Sequence, residues 1–146
     1  MKRTSHARQI AMKSLFAMSL VSADLEETLA FLSAEESLIV EVTSIAREMA
    51  RGTHERIDEI DRIIQAHLRR WDYSRVGNVE KAILRLAVYE MVYCPKTPVK
   101  VALNEALELG KEFTTRQSVR FINGVLDKVA RQARQDGKDD KPVPSH

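Results

Sequence analysis

The sequence predicts an all-α protein, a compact bundle of about seven helices in two halves. Apolar residues recur at three- and four-residue spacing almost throughout the 146 residues. Runs that alternate in the manner of a strand are nearly absent, and only five glycines and four prolines punctuate the chain. A hydrophobic share of 44% at this length closes one core, or two small ones that share a wall.

Taken in order, Ala7, Ile10, Ala11, Leu15 and Met18 fall on one helical face and predict a first helix from about Ser5 to Leu20. Asp24 is placed to cap a short second helix carrying Leu25, Leu29 and Leu32, because its side chain can accept from the unpaired amides of a first turn. Leu38, Val42, Ile45 and Met49 predict a third, which Gly52 is expected to end or sharply bend. Thr53 is then expected to cap a fourth, with Ile57, Ile60, Ile64 and Leu68 as its buried row. The stretch from Trp71 to Asn78 reads as a connection dividing the two halves. Val79 to Tyr93 is apolar almost all the way round. Its Glu80, Lys81 and Arg85 share one arc of about 140° at about 100° per residue, and only Glu90 stands apart, so neighbours must cover it.

Pro95 stops this central helix by removing a donor and disfavouring helical geometry before it. Ala102, Leu103, Ala106, Leu109 and Phe113 form the stripe of a sixth helix, and Val119, Ile122, Val125, Leu126 and Val129 that of a seventh, with Thr114 or Thr115 as the cap between them. Gly124 inside the seventh costs about 1 kcal/mol relative to Ala, which predicts the close approach of another helix. Residues 135–146 carry no apolar side chain besides Val143, so a helical domain over 1–134 is expected to be followed by a disordered polar tail.

The same residues exclude several function classes. No apolar run approaches the roughly 20 residues that cross a bilayer, and the basic start leads into an amphipathic pattern rather than a secretory leader, so a cytoplasmic location is expected. A single cysteine, Cys94, cannot form an internal disulfide or a thiolate zinc site, and it reads as a partly buried filler. His54 and His67 lack ligand spacing, and the isolated glycines form no phosphate cradle. Glu55, Asp58, Glu59 and Asp61 are interleaved with Arg56 and Arg62, which reads as a charge-paired exposed face. Neither catalysis nor a cofactor or metal is expected.

Charge segregates along the chain. Lys2, Arg3, Arg8 and Lys13 precede any carboxylate, Asp24 to Glu48 is strongly acidic, and the last helix turns basic again with Arg116, Arg120, Lys128, Arg131 and Arg134. Such separation suggests a polyanion at the basic parts. On the first helix Lys2, His6, Gln9, Lys13 and Phe16 lie within an arc of about 80°, a cationic row ending in a ring, which suits single-stranded nucleic acid. Phe16 fits the core equally well. Phe121, off the apolar stripe and flanked by Arg120 and Asn123, is either an exposed stacking surface or a wedge between halves.

Four segments carry a family resemblance: Ala7-Arg8 with Ala11 and Leu15-Phe16; Glu80 to Glu90; Pro98-Val99-Lys100-Val101-Ala102-Leu103-Asn104-Glu105-Ala106-Leu107-Glu108-Leu109; and Ser118 to Asp127, ending Phe-Ile-Asn-Gly-Val-Leu-Asp. In this order, from Met1 to about Ala133, they resemble the NusB family of bacterial transcription antitermination factors. The resemblance implies two three-helix-type halves around a shared helix. It implies a non-enzymatic factor that pairs with NusE, the small-subunit ribosomal protein. That pair binds the boxA element of nascent RNA and helps RNA polymerase, in an antitermination complex, to pass terminators in ribosomal RNA operons.

It further implies RNA contacts on the first helix, here Lys2, Arg3, His6, Arg8 and Lys13, and around Phe16, Glu80, Arg85, Arg120 and Phe121. Glu80 and Tyr89 are read as a partner-binding face. Thr4, Ser5 and His6 stand where some relatives carry consecutive arginines, and Phe113-Thr114-Thr115-Arg116-Gln117 lacks the Gly and acidic residue common in that loop. Two alternatives stay beside this reading. One is the RNA-binding domain of certain ribosomal RNA methyltransferases, against which the length leaves no room for a methyl-donor fold; the other is a helical adaptor that docks protein alone through Glu80, Arg85 and Tyr89.

Overall fold

The computed structural model describes residues 2–68 and 72–137. Among them are seven α-helices and no strand: α1 (Arg3–Leu20), α2 (Leu25–Glu36), α3 (Val40–Glu55), α4 (Ile57–Ala66), α5 (Asn78–Tyr93), α6 (Val99–Phe113) and α7 (Arg116–Gln135). A single 3-10 turn, Tyr73–Arg75, leads into α5. Two expected caps form. The Asp24 side chain accepts from the Glu27 amide and the Thr115 hydroxyl oxygen from the Ser118 amide, each satisfying a donor that a first turn leaves unpaired.

α5 is the shared wall. Its Ala82, Ile83, Leu84, Leu86, Ala87, Val88 and Met91 are buried on several sides, against α1, α3 and α4 of the first half and against α6 and α7 of the second. α1 buries Ala7, Ile10, Ala11, Met12 and Leu15 between α3 and α5, while α2 covers its outer flank. Met18, expected in that stripe, is only half-buried. α6 and α7 close the second half through Ala102, Ala106 and Leu109 facing Ile122, Val125, Leu126 and Val129.

Three expectations are corrected. Gly52 does not break a helix: α3 runs through it to Glu55, and the bend falls at Arg56 (φ −112°, ψ 19°). The glycine instead seats a ring from the central helix α5, since a Cβ added there would lie inside the Tyr89 phenol. Thr53, expected as a cap, is buried in the third helix and its hydroxyl donates to the Met49 carbonyl. Gly124 is exposed, and a Cβ there would meet nothing within 4 Å, so no helix approaches it. The helix α7 also continues through Gln135 into the expected tail; the remainder from 138 and Trp71 lie outside the described residues.

Candidate nucleic-acid interface

On α1, the predicted cationic row divides into three kinds of residue. Lys2 and Arg3 are exposed at the start of the helix. His6 and Lys13 are half-buried and share one carboxylate from the end of α2: Lys13 Nζ lies 2.8 Å from Glu36 Oε2, and His6 Nε2 3.7 Å from Glu36 Oε1. Lys13 also stands 5.7 Å from the centroid of the Phe113 ring, the last residue of α6. Phe16 is half-buried and packed against the core.

Arg8 requires correction. It is 6% exposed, its Nε donates to both Glu90 oxygens at 2.9 and 3.0 Å, and its Nη1 donates to Glu105 at 2.9 Å. Ser5 also donates to Glu105, and Gln9 to Glu112 at 3.0 Å, so a polar seam joins α1 to α5 and α6. This guanidinium holds helices together and is not presented to a phosphate. Two signals in the sequence pointed there. Arg8 lies seven positions before Leu15, on the buried face at about 100° per residue, and Glu90 was the one charge off the charged arc of α5. A charge on a buried face needs a partner, because desolvating it alone costs several kcal/mol.

Arg85 is likewise engaged. Its Nε and Nη2 clasp Asp61 of α4 at 2.8 and 2.9 Å, and Tyr73 donates to the same carboxylate at 2.7 Å. Burial, with the hydrogen bond to Asp61, holds the Tyr73 hydroxyl well above the usual phenol range. The expected charge-paired face on α4 is therefore partly a clamp onto α5. Tyr89 stacks on Tyr93 with centroids 6.2 Å apart and lies over Gly52; burial there and the neighbouring Cys94 push its hydroxyl up to about 12.

Glu80 and Tyr89 do not form one face. Nine positions on a helix rotate them about 180° apart at about 100° per residue, and the structure has Glu80 against α7 and Tyr89 against α3. Instead Glu80 joins Arg120 and Phe121. A groove of about 640 Å³ opens between the turn before α5 and the first half of α7, walled by Arg75, Gly77, Glu80, Gln117, Arg120 and Phe121. Ser118 donates to Glu80 Oε2 at 2.7 Å and fixes that carboxylate at the groove wall. Phe121 is half-buried and packed against the core. Arg75 was not anticipated, since it sits in a connection with no helical pattern to assign it a side.

A basic residue, a fixed carboxylate and an aromatic wall in one open groove suit a base with its phosphate better than a reaction centre. Among the described residues no group of three His, Cys, Asp or Glu could hold a metal ion, and no helix is long and apolar enough to cross a membrane.

Residues 5–131 match the NusB family. The chain belongs to that family. The transcription antitermination protein NusB of Lysinibacillus sphaericus is 37% identical over 132 residues, covering 90% of this chain and 99% of that protein. The T. maritima NusB structure superposes with a TM-score of 0.81 at 32% identity, over 90% of this chain and 92% of that one. A structure of the antitermination factors NusB and NusE in complex with dsRNA superposes with a TM-score of 0.82 at 25% identity, over 90% and 99% of the two chains. The helical order described above is thus the NusB fold, and the function is that of the family, transcription antitermination.

Proposed function

We propose that this NusB-family chain acts by binding boxA-type RNA jointly with NusE, in the cytoplasm and without catalysis, and so takes part in the complex that carries RNA polymerase through ribosomal RNA operons. The groove at Phe121 carries the reading. Arg120 and Arg75 supply cations for phosphate, the Phe121 ring offers a stacking wall, and Glu80, held by Ser118, is placed to accept from an exocyclic base amine. Lys2 and Arg3 at the head of α1 add exposed cations, and Lys13 adds a cation and His6 a ring nitrogen when RNA phosphate displaces Glu36. The structure of NusB and NusE with dsRNA supports the choice of both partners.

The test is a titration of boxA-like RNA, with and without NusE, at several salt concentrations. Affinity is expected to fall steeply as salt rises, because each neutralised phosphate releases counterions, and to increase with NusE present. Phe121→Ala is expected to weaken RNA binding by about 1–3 kcal/mol, the worth of one base stacked on a ring. A flat salt response, or an affinity untouched by NusE, would refute the proposal.

A further inference from the structure

A second groove, of about 700 Å³, lies at the junction of α6 and α7 and is lined by Lys111, Thr114, Thr115, Arg116, Val119 and Arg120. Arg120 lines both this groove and the one at Phe121, so the two meet at its side chain. At its other end the junction follows Phe113, whose ring faces Lys13 of α1. The groove therefore adjoins the Phe121 wall through Arg120 and includes Thr114, one residue after the Phe113 ring that faces α1; the wall and α1 are the two regions to which the proposed function assigns RNA.

Its charge is poorly balanced. Among the described residues neither Arg116 nor Arg120 has a carboxylate partner, a state they share with Arg3, Arg62, Arg75 and Arg134, but only at this junction do two such arginines line one groove with a lysine. Among the described residues Lys111 meets only Glu108, at 3.5 Å with both side chains more than 60% exposed, a solvent-screened pairing that is readily exchanged. The first turn of α7 carries no acidic residue to offset them. Three cations on one open groove, with hydroxyls of Thr114 and Thr115 between them, match the spacing-tolerant chemistry of a phosphodiester backbone better than that of a single small anion.

We propose that Lys111, Arg116 and Arg120 form a phosphate track over the head of α7 that carries single-stranded RNA from α1 to the Phe121 groove. This deepens the RNA reading above and rests on it. The base-contacting groove selects; the track adds affinity that is indifferent to sequence and sensitive to salt.

The experiment compares the full chain with its Lys111→Gln/Arg116→Gln variant, using single-stranded boxA-like RNA at several salt concentrations. A matched control, Arg62→Gln/Arg134→Gln, removes the same charge at exposed positions elsewhere. The track variant is expected to lower the slope of log affinity against log salt by about 1.4, about 0.7 for each single-strand phosphate contact, with an unchanged melting temperature. The control is expected to leave the slope nearly unchanged. An unaltered slope in the track variant, or an equal drop in the control, overturns the track while a salt-dependent wild type still upholds RNA binding. A variant that keeps its RNA slope but loses affinity for NusE in the absence of RNA overturns it in favour of a protein contact. If the wild type binds no RNA with NusE present, the RNA reading itself falls and the track with it.

Discussion

Replacing Arg8 with Met separates a structural role from an RNA-contacting one. The Arg8 and Glu90 side chains are 7% and 3% exposed, and three hydrogen bonds of 2.9 to 3.0 Å tie the guanidinium to Glu90 and Glu105. Arg8→Met leaves the Glu90 carboxylate buried with its cation removed, which costs about 3–5 kcal/mol. Domains of this kind hold about 5–15 kcal/mol in all, so the variant forfeits a large share of the total. At about 3 °C per kcal/mol the midpoint should fall by roughly 9–15 °C. Adding Glu90→Leu removes that buried carboxylate as well, and the double variant should recover most of the loss, because well-packed apolar pairs replace buried ion pairs at little cost. Urea and thermal unfolding read both variants. RNA affinity, measured well below the midpoint, should stay within about twofold of wild type, since a direct phosphate contact would lower the salt slope by about 0.7. A single variant that loses less than about 1 kcal/mol, or a double variant no more stable than the single, would refute the account of the seam.

Three further outcomes follow from packing and charge. Gly52→Ala should destabilise by about 1–3 kcal/mol in a melting experiment, because its methyl must displace the Tyr89 ring. Gly124→Ala, on an exposed and open face of α7, should instead stabilise by about 0.5–1 kcal/mol, and a lowered melting temperature would show an unseen neighbour. Glu36→Gln frees Lys13 and His6 from their shared carboxylate, so RNA affinity should rise several-fold at low salt and the salt slope steepen by about 0.7. An unchanged titration would show that α1 does not meet RNA at these positions.

Helix number, order and stripes were legible because each depends on spacing along one segment. Asp24 and Thr115 were legible as caps for the same reason. What escaped was any property set by a distant partner. Gly52 and Gly124 are both helical glycines in the sequence, yet one seats a tyrosine from the central helix α5 and the other faces open space. Arg8 and Lys13 are both cations on α1, but a five-residue step turns them about 140° apart, one into the interior and one to its edge. The Phe121 groove was half legible: Arg120, Phe121 and Glu80 were named, while Arg75 joined them only through the fold of the turn before α5. Pairing Glu80 with Tyr89 failed because membership of one helix was taken as membership of one face.

The polar seam at Arg8 bears on how α1 is kept in register. Apolar stripes are forgiving of a slide by one turn, whereas a guanidinium clasped by carboxylates from two other helices is satisfied at a single setting of α1. Alignment of α1 is therefore vested in an interior residue, Arg8. The exposed residues Lys2, Arg3 and Thr4 make no such contact, so changes there leave the helix in place. The position of α1 is thus set by its buried seam and is independent of the charges at its exposed head.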